Sequence, residues 1–134
     1  EDFSVFNDVK FSYGFENMDY KKKNYKIPKD FHYLNNFFPN MRIILDINHV
    51  YTNDNSMELI KEFYNEFSSS ISEIHLSGFL KKHDPLFITK QDFLIKSIML
   101  DVLVIIESKL PNLDSVKDEL KYIKSVISLA TNGQ

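Results

Sequence analysis

Four side chains able to hold a metal ion recur at nearly even intervals in this chain: Glu16, Asp46, His75 and Glu107. They stand 30, 29 and 32 residues apart in turn. Each closes a short apolar run: Phe11-Ser12-Tyr13-Gly14-Phe15-Glu16, Arg42-Ile43-Ile44-Leu45-Asp46, Ile71-Ser72-Glu73-Ile74-His75 and Leu103-Val104-Ile105-Ile106-Glu107. An ionised carboxylate at the end of a buried strand costs free energy unless it is paired or ligated. Three carboxylates and a histidine at one rim would repel one another, and a divalent cation resolves that conflict. His49 and His83 lie close by, three residues after Asp46 and eight after His75. Taken singly, each acid has a plainer reading, because a carboxylate after a strand often caps the next helix or meets solvent. His83, beside Lys81 and Lys82, reads equally as a ligand or as a solvated loop residue. It is the matching intervals that favour a shared metal. Cysteine is absent, so any site is built of oxygen and imidazole, which suits Mn, Mg, Zn or Fe.

Something must carry these residues to one place. The apolar runs have strand length, and the segments between them carry helical patterns. Pro28 can open a helix with Phe31, Leu34, Phe37 and Phe38 at helical spacing, stopped near Pro39. Asn55, with Glu58 three residues on, can cap a helix carrying Leu59, Ile60, Phe63 and Phe67. Thr89 with Asp92 repeats that pattern before Phe93, Leu94, Ile98 and Met99. Leu113, Val116, Leu120, Ile123, Ile127 and Ala130 mark a last helix, and a frayed tail is expected over 131–134. Strands alternating with helices predict an α/β fold of four consecutive βα units with a parallel sheet, both faces buried. Period two places Ser12, Gly14 and Glu16 on one face. It does the same for Ile44 with Asp46, for Ile71, Glu73 and His75 together, and for Ile105 with Glu107. Each reactive side chain then ends its strand, where parallel α/β proteins build their sites.

Composition sets the outer limits. Hydrophobic residues form 43% of the chain, enough for one globular domain with a real core. No apolar run is long enough to span a bilayer, and the first residues do not resemble a signal peptide, so no membrane association and a cytoplasmic location are expected. No Met stands at position 1, which points to a piece of something longer. The net charge of −3 gives no strong global field and weakly disfavours a dedicated nucleic-acid binder. Lys21-Lys22-Lys23 reads as a solvated loop, with a phosphate-holding role as the sharper alternative. His32 reads as structural or surface. Asn17 and Ser77, next to ligands, are either partners of those ligands or ordinary turn residues.

Several segments together resemble a known superfamily. Glu16-Asn17, Leu45-Asp46-Ile47-Asn48-His49, Ile74-His75-Leu76-Ser77, His83-Asp84-Pro85-Leu86 and Ile106-Glu107-Ser108 are similar to the ordered motifs of xylose-isomerase-like barrels. These include sugar isomerases, sugar epimerases and the endonuclease IV family. The resemblance spans about residues 9–123 and implies the C-terminal half of a (β/α)8 TIM barrel, strands five to eight, as one partial domain over 1–134. It implies that Glu16, Asp46, His75 and Glu107 ligate one metal, with Glu16 and Glu107 exchanging a proton next to a substrate carbonyl. His49 matches a residue that contacts substrate in epimerases, or binds a further zinc in the endonucleases; His83 matches another endonuclease zinc ligand. The substrate implied is a sugar or sugar phosphate, with abasic DNA as the alternative and a non-catalytic remnant as a third reading. The missing N-terminal half, or a second copy of this chain, is the implied partner. Departures are visible. Lys81 replaces the endonuclease aspartate, Lys81 and Lys82 stand near a common epimerase arginine, and Phe87 follows Leu86 where a Gly-rich turn is usual. A methanobactin-oxidase-like iron barrel shows a similar Leu-Asp-x-Asn run with a following aromatic, compare Tyr51, but has Asn at the place of His49.

Overall fold

The computed structural model describes residues 13–131. Its strands are β1 (Gly14–Glu16), β2 (Arg42–Asp46), β3 (Ile71–Leu76) and β4 (Leu103–Ile106). Its helices are α1 (Pro28–Asn35), α2 (Ile47–Asn53), α3 (Glu58–Phe67), α4 (Leu86–Thr89), α5 (Asp92–Lys96) and α6 (Leu113–Thr131). The strands form one sheet in the order β1-β2-β3-β4, and every neighbouring pair is parallel. The expected alternation of strand and helix is therefore present. Phe11 and Ser12 of the first expected strand lie outside the described residues. So does the expected frayed tail, apart from Thr131, which closes α6.

One face of the sheet is buried under the helices. Ile43, Leu45, Ile71, Ile74 and Leu76 lie there, packed with Phe31, Phe63, Leu86, Leu94 and Ile123 in a continuous core. The expectation that both faces are buried does not hold among the described residues. Leu103 is 60% exposed and Ile105 38% exposed, both on the opposite face. Among the described residues the helices lie on one side, and none covers the second face.

Register explains which side chains share that open face. Glu16 pairs with Ile44, Ile44 with Glu73, and Glu73 with Leu103. The next row is Asp46, His75 and Ile105. Between β2 and β3 the register shifts, so that Ile43 meets Ile71 while Ile44 meets Glu73. The extra residue, Ser72, turns Ile71 onto the covered face. Ile71 therefore does not share a face with Glu73 and His75, as strict period two predicts.

Helix starts also differ from expectation. Asp54, not Asn55, serves the start of α3, accepting the N–H groups of Ser56 and Leu59 at 3.0 and 2.9 Å. Met57 stands just before it with φ 63°. Thr89 ends α4 instead of capping α5, because Lys90 adopts φ 57° and separates the two helices. In α6 the buried stripe is Ser115, Glu119, Ile123 and Val126, whereas Leu113 and Leu120 are exposed. The apolar spacing missed this rotation because the anchor of the helix is an acid. Asn112 and Ser115 cap its start reciprocally, at 2.9 and 3.3 Å.

Candidate metal centre

All four expected strand-end side chains converge. One ligand atom each from Glu16, Asp46, His75 and Glu107 lies within 4.8 Å of the others. The central strands β2 and β3 supply Asp46 and His75, and Glu16 and Glu107 come from the two outer strands. His75 Nδ1 stands 3.1 Å from Glu107 Oε1 and 3.6 Å from Glu16 Oε1.

Each ligand is held in place. Asn17 is fully buried. Its amide accepts the Asp46 N–H at 2.6 Å and donates to the Asp46 carbonyl at 3.1 Å. Its backbone carbonyl lies 2.8 Å from His49 Nδ1. That contact makes Nδ1 the donor, and Nε2 stands 3.6 Å from Asp46 Oδ2. Asp46 Oδ1 accepts the N–H of His49 at 2.9 Å and so caps α2. One oxygen of this carboxylate thus caps a helix, and the other is left to face the cluster.

His75 is oriented by an acid that the spacing of strand ends passes over. Its Nε2 lies 2.7 Å from Glu73 Oε1. A proton kept on Nε2 by Glu73 would leave Nδ1, which faces Glu16 and Glu107, to a bound metal. A carboxylate behind a ligating imidazole is the usual way to fix its tautomer. The sequence did carry a signal for Glu73, a charge two residues before His75 on the same strand face.

Two buried atoms of this group have no hydrogen-bond partner, Asp46 Oδ2 and His75 Nδ1. Both have only ionic contacts, Asp46 Oδ2 to His49 and His75 Nδ1 to Glu16 and Glu107, and both belong to the same four-residue set. The donor set, three carboxylates and one imidazole, suits a hard or borderline divalent ion. The residues present therefore fit a metal. Electrostatics agree. Burial pushes the Asp46 carboxyl up to about 6, against the opposing pull of His49. Burial would lower the pKa of His75, but Glu73, Glu107, Glu16 and Asp46 outweigh it and raise it. Either protons or a cation must neutralise the cluster.

His49 and His83 join Asp46 in a second group of possible ligands. Their rings are 5.8 Å apart, and His83 Nδ1 is 3.8 Å from Glu107 Oε2. His83 is half-buried and shares a 2.9 Å hydrogen bond with Ser77 Oγ, so it is more than a solvated loop residue. Ser77 in turn accepts from Asn48 Nδ2 at 3.2 Å. Asn17 and Ser77 are thus partners of the site. His32 stays at the surface, 2.6 Å from Glu66.

Glu119 is the other residue that sequence reasoning missed. It is fully buried and accepts the N–H groups of Leu86 and Phe87, each at 2.9 Å, and the hydroxyl of Ser108. It ties the start of α4 to the segment just after Glu107. A backbone bond from Lys109 N–H to the His83 carbonyl, 2.9 Å, closes the same junction.

Compared with known proteins, the chain matches no family model, no curated protein and no solved structure. Among the described residues no helix is long and apolar enough to cross a membrane.

Proposed function

We propose that this chain is the metal-holding part of a divalent-metal-dependent enzyme that moves a proton next to a carbonyl, as sugar isomerases and epimerases do. The observation that carries the reading is the four-residue group in which two buried atoms, Asp46 Oδ2 and His75 Nδ1, face charged neighbours without a hydrogen bond. Asp46 and His75 hold the ion from the centre of the sheet. Glu16 and Glu107 flank it from the outer strands, placed to accept and return a proton on either side of a substrate carbon. A bound divalent ion would polarise the substrate oxygens. The uncovered sheet face supports activity that belongs to a completed barrel, with the rest of its wall supplied by further chain or by a second copy. The test is interconversion of ketose or hydroxypyruvate-type substrates by the intact protein. Glu107→Gln is expected to remove it, and full activity in that variant sinks the reading.

A second reading rests on the group Asp46, His49 and His83, which shares Asp46 with the first. Two adjacent ions would suit hydrolysis of a phosphodiester, as in the abasic-site endonucleases. Metal stoichiometry separates the two, one ion per chain against two or more. Chelator-sensitive cleavage of an abasic duplex supports the hydrolase, and its absence with zinc supplied removes it.

A further inference from the structure

The segment after β1 and the segment after β3 meet at the edge of the metal centre. With the start of α2 they enclose a cavity of about 140 Å³ whose lining includes Lys21, Lys81, Lys82, Asp19, His49 and His83. Two of these, His49 and His83, belong to the ligand groups described above. The cavity therefore adjoins the site through these two histidines, which cluster with Asp46.

Both segments are held by specific bonds. Asp84 accepts the N–H groups of Leu80, Lys81 and Lys82 at 2.8, 2.7 and 3.1 Å. Gly78 and Asp84 exchange two backbone bonds, and the buried Asn48 amide donates to the carbonyls of Gly78 and Lys82 at 2.7 and 3.0 Å. On the other side, Asp19 Oδ1 accepts the Lys21 N–H at 3.0 Å, and Asn53 Nδ2 donates to the Met18 carbonyl at 2.7 Å. The lysines are thus mounted on fixed backbone.

Charge gives the cavity its chemistry. Three lysines line it against one acid, Asp19, which is already engaged with the Lys21 N–H. Among the described residues none of the three lysines forms a salt bridge, although Lys21 Nζ lies 5.5 Å from the centre of the Tyr20 ring and Lys81 acts electrostatically on Asp84. The whole chain carries −3, and the adjacent centre holds Glu16, Asp46, Glu73 and Glu107. A local excess of ammonium groups beside an acidic centre is the arrangement that admits an anionic substrate to it. Lysine offers a mobile point charge with three donors, suited to a phosphate that must enter and leave.

We propose that this cavity is the subsite for the phosphate group of a small phosphorylated substrate whose reactive end reaches the metal centre. The inference deepens the function proposed above, and rests on it only for that reactive end.

The test is calorimetric titration of the chain with ribose 5-phosphate and with ribose, in the presence and absence of Mn²⁺. Ribose 5-phosphate is expected to bind at least about tenfold tighter than ribose, the scale of a charge-assisted contact. Lys81→Ala/Lys82→Ala is expected to erase that preference and leave Mn²⁺ stoichiometry unchanged. Lys22→Ala/Lys23→Ala removes the same charge outside the cavity and is expected to keep the preference. Equal losses in the two double variants would reduce the effect to general electrostatics and overturn the subsite. So would equal binding of the two sugars. A short single-stranded oligonucleotide that binds tighter than ribose 5-phosphate would also overturn it, in favour of a polymer backbone. A phosphate preference that persists without any Mn²⁺ binding keeps the subsite and removes the metal reading. Mn²⁺ binding without a phosphate preference does the reverse.

Discussion

Asp46 is 1% exposed, and its burial pushes the carboxyl up to about 6. The sign of the consequence follows directly. A folded-state pKa above the unfolded value means stability that is full at low pH and lost as pH rises through about 6. In the metal-free chain at pH 7, Asp46 is therefore a destabilising residue. Asp46→Asn keeps an acceptor for the His49 N–H and removes the buried charge. It is expected to raise the stability of the metal-free chain at pH 7 by on the order of 1–2 kcal/mol and to abolish metal binding. Thermal unfolding with chelator, beside metal titration, checks both; a variant less stable than wild type contradicts the assignment. A metal ion takes the place of the protons on Asp46 and His75, so its affinity is expected to rise as pH rises through about 6, where Asp46 ionises. It is expected to go on rising above the ordinary imidazole range, since His75 holds its proton to higher pH. Titrations in buffers of different ionisation enthalpy would count the protons released, and pH-independent affinity contradicts the account. Glu73→Gln leaves His75 in place but removes the carboxylate behind it, with an expected loss of about 10- to 100-fold in metal affinity. The convergence of Glu16, Asp46, His75 and Glu107 was legible in the sequence because strand spacing repeats. Glu73 was not singled out, since an acid inside a strand reads as a surface residue until its partner is known.

At the scale of elements, strand positions followed closely from the apolar runs, because each run has strand length, although only those of β2 and β3 are deeply buried. The face assignments held for β2 and for Glu73 with His75, and failed for Ile71. A one-residue bulge at Ser72 leaves no mark in a periodicity. The orientation of α6 was hidden for a different reason. Its deepest residue is Glu119, a carboxylate that holds two backbone N–H groups and the Ser108 hydroxyl. Hydrophobic spacing cannot report a buried acid, and it placed Leu113 and Leu120 in the stripe although both are exposed. Glu119→Ala leaves three donors without a partner and is expected to cost about 2–4 kcal/mol. Urea unfolding measures it. Wild-type stability in that variant would contradict the role given to Glu119. Glu119→Gln, which keeps an acceptor, is expected to lose less.

At the scale of the molecule, the sheet is covered on one face only, and both its outer strands have unpaired edges among the described residues. The open face carries the candidate metal centre beside Leu103 and Ile105, which are exposed. Parallel sheets are ordinarily covered on both faces, and unpaired edges invite further strands. The chain is therefore expected to self-associate as concentration rises, and Leu103→Lys/Ile105→Lys to weaken that association without unfolding. Sedimentation velocity reads both, and a strictly monomeric wild-type chain across the concentration range contradicts the expectation. The sequence could announce repeated βα units, since each unit carries its own pattern. It could not announce an uncovered face, because Leu103 and Ile105 have the same apolar character as the strand residues that are buried.

The most direct test of the metal centre is elemental analysis of the chain purified without chelator, beside Asp46→Ala/Glu107→Ala. At least one divalent ion per wild-type chain is expected, lost in the double variant while its circular dichroism is retained. A folded wild-type chain that takes up no ion when offered Mn²⁺, Fe²⁺ or Zn²⁺ would contradict the account at its centre.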